Sequence, residues 1–211
     1  DAWAADSKDY KPGDQAWYTH FRIGRVAPGR YEGSQFPAGD GAQDQFFRQM
    51  TPNTTTFDLA ACAEALGKVM AEVKAITGRK SIFVTHSQGG RVGWETPVEN
   101  IAAIMAIEPG GAPLPGSEQY KRLLGARIPI VIYFGDYIDN GPGDIMSTGF
   151  WKSVRDDAAA FAERYRADGG SAEVVDLPKT GLTGNSHFLF QELNNDAIAD
   201  HVEAWIQDHV K

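Results

Sequence analysis

The feature that most constrains this 211-residue sequence is the alternation, after Phe57, of short apolar runs with stretches of helical periodicity. The apolar runs stand in the segments SIFVTH, IAAIMAIEPGG, IPIVIYFGD and SAEVVDLP. Runs that are apolar on both sides and alternate with helices are typical of a parallel sheet covered on both faces. We therefore predict an α/β fold with a mostly parallel sheet and helices on both faces.

Three stripes of apolar residues recur at steps of three and four, which predicts helices that turn one face toward the core. The first stripe precedes the first apolar run and ends before Gly78, and the other two flank the last apolar run. Their members are Leu59, Cys62, Leu66, Val69, Met70, Val73 and Ile76, then Trp151, Val154, Ala158, Phe161 and Tyr165, and finally Ile198, Val202, Trp205 and Ile206.

The first 56 residues show little periodicity and are interrupted repeatedly by glycine and proline. We predict that residues 1–56 form an irregular, cap-like insertion and that residues 57–211 form the α/β region. The aromatic residues of the insertion either wall an apolar pocket or pack the insertion onto the domain, and their spacing favours neither reading. They are Trp17, Tyr18, Phe21, Phe36, Phe46 and Phe47.

Composition excludes several classes of protein. The net charge is −8 and no block is dense in Lys or Arg, which argues against a nucleic-acid or anionic-membrane partner. No apolar run approaches the ~18 residues of a membrane span. Cys62 is the single cysteine, and no pattern of metal or cofactor ligands is found, so we expect neither a disulfide within the chain nor a cofactor. The tripeptide at Asn53 fits a glycosylation acceptor, a pattern that is common by chance.

The segment SIFVTHSQGGRVGW places Ser87 between a predicted strand and a predicted helix. A serine at such a corner is lifted clear of the sheet as a nucleophile, and small residues are preferred around it. Gly89 meets this need, and Gly90 and Gly93 would let the helix lie close to the strands. Thr85 departs from the G-x-S-x-G pattern, in which glycine occupies that position.

Backbone N–H groups at the start of the predicted helix would point at the same place as the serine. The N–H of Gln88 is therefore a candidate donor to a developing oxyanion. The alternative, a serine that only caps a helix, explains the glycines less well.

In this turn and in chain order the sequence resembles the α/β-hydrolase superfamily. The resemblance implies a nucleophile, then an acid, then a histidine in the loop after the last strand. His187 stands in that loop, within LPKTGLTGNSHFLFQEL. His86 adjoins the serine, and its side chain should point away from the oxyanion.

The acid has two candidate positions. The common superfamily position implies Asp136 or Asp139 in YFGDYIDN, whereas Glu108 in AIEPGG ends the preceding strand. The segments THSQGG, IEPGG and GNSHFLFQELNN resemble a small group of exported bacterial esterases that have glutamate in this position. This resemblance extends from about Gln35 to the C-terminus and favours Glu108.

The resemblance further implies hydrolysis of carboxylic esters through an acyl-enzyme, and an extracellular or periplasmic location. Amide, lactone or thioester hydrolysis by the same triad remains an alternative, as does a non-catalytic ligand-binding domain. A full hydrolase of this type has several strands before the helix near Phe57, and this sequence shows none. We therefore expect proteolytic processing of a precursor, with a separate N-terminal chain that completes the sheet in a heterodimer and supplies a second oxyanion donor.

Overall fold

The structure, a computed structural model, describes residues 14–25, 29–49, 57–141 and 148–210. Asn53, the possible glycosylation acceptor, lies outside these ranges. The helices are α1 Asp14–His20, α2 Asp40–Arg48, α3 Leu59–Thr77, α4 Gln88–Glu95, α5 Glu118–Gly125, α6 Phe150–Ala167, α7 Leu177–Thr180 and α8 Asn195–His209. The strands are β1 Gly24–Arg25, β2 Gly29–Arg30, β3 Ser81–His86, β4 Ile101–Ile107, β5 Ile130–Phe134 and β6 Ala172–Asp176, and a 3₁₀ helix spans Leu189–Gln191.

Strands β3 to β6 form a parallel sheet in the order β3-β4-β5-β6. The register pairs Thr85 with Ala106 between β3 and β4, and Ala106 with Ile132 between β4 and β5. Parallel strands place all their carboxyl ends at one edge of the sheet, which is where ligands bind in folds of this kind. The predicted fold class, an α/β fold with a parallel sheet and helices on both faces, is confirmed.

Alternate residues of the central strands bury themselves in two cores, one on each face of the sheet. On β4, Ile104 and Ala106 pack toward α4, α5 and α6, whereas Met105 and Ile107 pack toward α8. The stripe predicted for α6 is buried in the first core at all five of its positions. Helix α8 contributes Ile198 and Trp205 to the second core.

Helix α3 has clear boundaries but an unexpectedly exposed apolar face. The side chain of Asp58 caps its start by accepting a hydrogen bond from the N–H of Ala61 at 2.9 Å, and Gly78 ends it with a φ of 71°. Of the predicted core stripe Met70 is buried, but Val69 is 56% exposed and Ile76 is 81% exposed. The prediction that the whole stripe faces the core is wrong. Strand β3 is at the edge of the sheet within the described residues, so no further described strand covers the rest of the stripe.

The described part of residues 1–56 is more regular than the sequence indicated. It contains α1 and α2, of seven and nine residues, and an antiparallel pair of two-residue strands. Such short elements complete too few turns to show a helical period. Three of its aromatic residues pack within the region itself, because Tyr18, Phe36 and Phe46 form a small core with Ile23.

The connection between β4 and β5 also contains a helix, α5, that the sequence analysis did not identify. The hydroxyl of Ser117 caps α5 by accepting from the N–H of Tyr120 at 3.2 Å. Among the described helices none combines the length and the apolar character needed to cross a membrane.

Candidate active site

Ser87 lies at the turn between β3 and α4 in a strained backbone conformation, with φ 54° and ψ −124°. Its N–H donates to the carbonyl of Ile107 at 3.0 Å, and its carbonyl accepts from the N–H groups of Gly90 and Gly110, each at 2.9 Å. A non-glycine residue in such a conformation costs about 1–3 kcal/mol and persists only where its surroundings impose it. The turn therefore holds the serine at the carboxyl edge of the sheet.

Of the glycines after Ser87, Gly90 and Gly93 are needed for close packing, as predicted, whereas no contact requires glycine at position 89. A Cβ on Gly89 would meet nothing within 4 Å, whereas one on Gly90 would lie 2.5 Å from Cβ of Pro109. A Cβ on Gly93 would lie 2.9 Å from Cγ2 of Thr85. The threonine that replaces the first glycine of the pattern is thus accommodated by the absence of a side chain at Gly93.

Glu108 directly follows β4, and the register of β3 with β4 places it beside Ser87. Its side chain is completely buried, and its φ of 46° is again in the left-handed region. Oxygen Oε1 accepts the N–H of Gly135 at 2.6 Å and forms an ion pair with Arg22. Oxygen Oε2 lies 3.3 Å from Nδ1 of His187.

His187 lies in the loop between α7 and the 3₁₀ helix and is completely buried. Its N–H donates to the carbonyl of Phe21 at 3.0 Å, and its carbonyl oxygen lies 2.9 Å from Nε2 of His86. Its imidazole is stacked on the ring of Phe21 at 4.8 Å and lies 4.4 Å from the ring of Trp151. Its Nε2 has no hydrogen-bond partner among the described residues.

The protonation states of the pair follow from burial and charge. Burial lowers the pKa of His187, and the carboxylate of Glu108 acts in the opposite direction without cancelling it. Burial by itself would raise the pKa of Glu108, but Arg22, then His187 and the N–H of Gly135, hold that pKa below its usual range. The pair therefore consists of a carboxylate and a neutral imidazole. With its proton on Nδ1, the imidazole donates to Glu108 and keeps a lone pair on Nε2.

Asp136, the alternative acid, uses its carboxylate elsewhere. Its Oδ1 accepts the N–H of Tyr137 at 2.7 Å, and its Oδ2 accepts the N–H of Gly184 at 2.8 Å. Its own N–H donates to the carbonyl of Asn185 at 2.7 Å. These bonds fasten the loop that carries His187, and the carboxylate near the imidazole is that of Glu108.

Arg22 was not identified as a site residue from the sequence, and Phe21 was identified only as one of six aromatics that either wall a pocket or pack the first region. Phe21 covers one face of His187, and Arg22 contacts the carboxylate of Glu108. Both stand in the irregular first region, where no period or motif singles them out. Only the burial of an arginine with no exposed surface identifies the second one, and burial is a tertiary property.

The remaining predicted donor, Gln88, is the first residue of α4. The first N–H groups of a helix have no carbonyl partner within it, so this N–H is available at the serine turn. Among the described residues, no group of three or more His, Cys, Asp or Glu side chains could hold a metal ion.

The fold is α/β-hydrolase-like. It has a parallel sheet with helices on both faces, a serine at a strained turn after one strand, and a Glu–His pair from later loops. The structure is similar to the solved structure described as that of a novel bacterial esterase at atomic resolution, with a TM-score of 0.76 and 29% sequence identity. The match covers 99% of this chain and 62% of that one, so the chain spans less than two thirds of the esterase. No protein-family model and no curated protein matches the sequence. The likeness to α/β hydrolases is confirmed, and membership of the smaller group of exported esterases stays a prediction.

Proposed function

We propose that the protein is a serine hydrolase that cleaves carboxylic esters through an acyl-enzyme, with Ser87 as nucleophile, His187 as base and Glu108 as acid. The observation that carries the proposal is the buried contact of 3.3 Å between Oε2 of Glu108 and Nδ1 of His187, at the sheet edge where Ser87 follows β3. The likeness to a bacterial esterase supports ester bonds among the acyl compounds that such a triad can attack.

In the first half of the reaction Oγ of Ser87 forms a bond to the ester carbonyl carbon and gives its proton to Nε2 of His187. The carboxylate of Glu108 stabilises the imidazolium that results. The tetrahedral intermediate then expels the alcohol, which takes the proton from Nε2. Water repeats the sequence on the acyl-enzyme and releases the acid.

Charge that develops on the carbonyl oxygen needs hydrogen-bond donors. The N–H of Gln88 stands at the positive end of α4 and is the donor that this chain offers. Removing one such donor typically costs about 3 kcal/mol in the barrier, so a second donor matters for the rate. We assign that second donor to the polypeptide proposed below to complete the sheet.

Labelling with a fluorophosphonate tests the nucleophile in the native protein, together with any polypeptide that copurifies with it. We expect one adduct at Ser87, which the substitutions Ser87→Ala and His187→Ala abolish. Ser153→Ala changes an exposed serine of α6 and is the matched control, which should label like the wild type. A folded native protein that takes no label would instead support a non-catalytic ligand-binding domain. A series of matched ester, amide, lactone and thioester substrates then identifies the bond that is cleaved.

We also propose that further strands of the same precursor, carried on a separate chain, pair with the free edge of β3. Within the described residues β3 is hydrogen-bonded to β4 alone, and Val84 in its middle is 55% exposed. Val69 and Ile76 of α3 are also exposed apolar residues. Exposed strand edges and exposed apolar residues mark sites of pairing with other segments.

Intact-mass analysis of the native protein tests this partner. We expect a second polypeptide beside the chain of 23.0 kDa. Ile76→Lys should weaken the association because it places a charge on the exposed apolar stripe of α3, whereas Ala75→Lys changes an exposed residue outside that stripe and should not. A single polypeptide of 23.0 kDa with full esterase activity would refute the heterodimer.

The location outside the cytoplasm is likewise a proposal, supported by the resemblance of the site segments to exported esterases. Fractionation of the source cells tests it, with recovery of the activity from the medium or the periplasm as the expected result. Activity confined to the cytoplasmic fraction would reject it.

A further inference from the structure

We infer that Arg22 is a positioning residue of the triad, whose guanidinium holds the carboxylate of Glu108 against His187. The inference rests on the proposed function, because it assigns Glu108 the role of triad acid. It gives part of the first region, which the sequence indicated only as a covering layer, a defined task in the catalytic site.

The contacts of Glu108 are divided between its two oxygens. Oε1 receives the ion pair from Nη2 of Arg22 and the N–H of Gly135, and Oε2 is left for His187. Two donors on one oxygen fix the rotation of the carboxylate, so that the other oxygen is aimed at the imidazole. Without the arginine, a single backbone N–H would hold the buried carboxylate on that side.

Besides Glu108, Arg22 contacts two further groups that hold its side chain in place. Its Nε donates to the carbonyl of Asp136 at 2.9 Å, and its guanidinium carbon lies 5.0 Å from the centre of the Trp151 ring. The side chains of Arg22 and Glu108 have no exposed surface. The φ of Arg22 is 59°, and Ser87 and Glu108 are also among the five described non-glycine residues with positive φ. Strained conformations cluster at functional sites, where the surrounding structure imposes them.

The segment of Phe21 and Arg22 contacts both members of the Glu–His pair. The carbonyl and the ring of Phe21 contact His187, while the next side chain contacts Glu108. Trp151 lies against both His187 and the guanidinium. The first region thus contacts both acid and base and fixes their relative position.

The charge of Arg22 also affects when the pair takes up a proton. It holds the pKa of Glu108 below its usual range against the effect of burial, and it adds to the lowering of the pKa of His187 that burial causes. The other titratable groups around the pair are His86 at the end of β3, Glu192 after the 3₁₀ helix, and Asp136 beyond the guanidinium. Loss of the positive charge therefore favours protonation of the pair, whichever member takes the proton.

The test is the pH profile of kcat/KM for an activated ester, measured with the complete native protein. Arg22→Met should lower kcat/KM and move the acid limb to higher pH by about one unit or more, as expected for an opposite charge at contact distance. Arg22→Lys keeps the charge but loses the fork that reaches both Glu108 and Asp136. It should lower kcat/KM while the acid limb stays near that of the wild type.

A double-mutant cycle separates positioning from a general loss of structure. If Arg22 acts through Glu108, Arg22→Met should cost about tenfold or more in kcat/KM in the wild type and little in the Glu108→Gln background. Arg155→Met removes another arginine that pairs with two carboxylates, Asp139 and Asp176, and is the matched control. It should leave the acid limb in place.

The outcomes distinguish this inference from the proposed function. A wild type that takes no fluorophosphonate at Ser87 defeats the proposed function itself. A wild type that is labelled, with an unmoved acid limb in Arg22→Met and equal losses in both backgrounds, defeats only the inference. If Arg22→Met does not fold, Arg22→Lys is compared in the two backgrounds, and equal losses again reject the inference. If no Arg22 variant folds even with Glu108→Gln, the arginine is structural and the inference is rejected.

Discussion

Arg22 and Glu108 form an ion pair in which neither side chain has any exposed surface. A charge buried without its partner is strongly unfavourable, so each of these residues requires the other in the folded protein. Because His187 contacts the same carboxylate, one cluster joins the first region, the end of β4 and the loop after α7.

The identity of the acid can be tested by two matched amide substitutions. Glu108→Gln should lower kcat/KM by about 10⁴-fold, because an amide does not stabilise the imidazolium or hold its tautomer. Asp136→Asn should cost about 1 kcal/mol of unfolding free energy, because one of its two backbone donors loses its acceptor, with a minor effect on the rate. Steady-state kinetics and urea unfolding of both variants measure these effects. A larger loss of activity in Asp136→Asn than in Glu108→Gln would reverse the assignment.

The close approach at Gly135 leads to a second prediction. A Cβ at this position would lie 2.7 Å from the carbonyl oxygens of Asn185 and Ser186 and 3.2 Å from Oε1 of Glu108. Gly135→Ala should therefore push the histidine loop away from the acid and lower kcat/KM by about 10²-fold, as misplacement of about 1 Å does. Gly125→Ala is the control, since a Cβ there meets nothing within 4 Å. Wild-type kinetics in Gly135→Ala would show that the loop tolerates displacement.

The depressed pKa of His187 predicts how stability depends on pH. The unfolded chain protonates this histidine near its ordinary pKa of 6.5, whereas the folded chain does so only at lower pH. Between these values the unfolded state binds more protons, so the unfolding free energy should fall as the pH falls below about 6.5, by up to about 1.4 kcal/mol per pH unit for this group. Burial lowers the pKa of His86 as well, which adds a decline in the same direction.

Urea unfolding between about pH 4.5 and about pH 7 measures this dependence. His187→Gln should make the decline shallower, because the substituted residue does not titrate. Equal slopes in the wild type and in His187→Gln would contradict the buried neutral imidazole.

The contact between Thr85 and Gly93 predicts a compensating pair of substitutions. Gly93→Ala alone should cost about 1–3 kcal/mol of unfolding free energy, because its Cβ would press on Cγ2 of the threonine. In the Thr85→Ala background the same change should cost at least about 0.5 kcal/mol less, which denaturant unfolding of the four proteins would measure. Costs that simply add would show that the tight packing lies elsewhere.

The sequence alone determined the α/β class, because apolar strands alternating with helical stripes leave few other ways to bury both faces of a sheet. It also singled out Ser87, Glu108 and His187 as candidates, since a serine turn and the loops at strand ends follow from local pattern and chain order. These three stay predictions until the labelling and kinetic experiments are done. The structure adds that two of them, Glu108 and His187, are in contact.

Only the tertiary structure shows which carboxylate lies against the imidazole and that Arg22 contacts Glu108. The two residues of that ion pair are 86 positions apart, and no local period relates them. Tertiary packing likewise left Val69 and Ile76 exposed although their spacing matches a buried stripe. Periodicity indicates which side of a helix is apolar, but the residues that pack against that side come from segments distant in the chain.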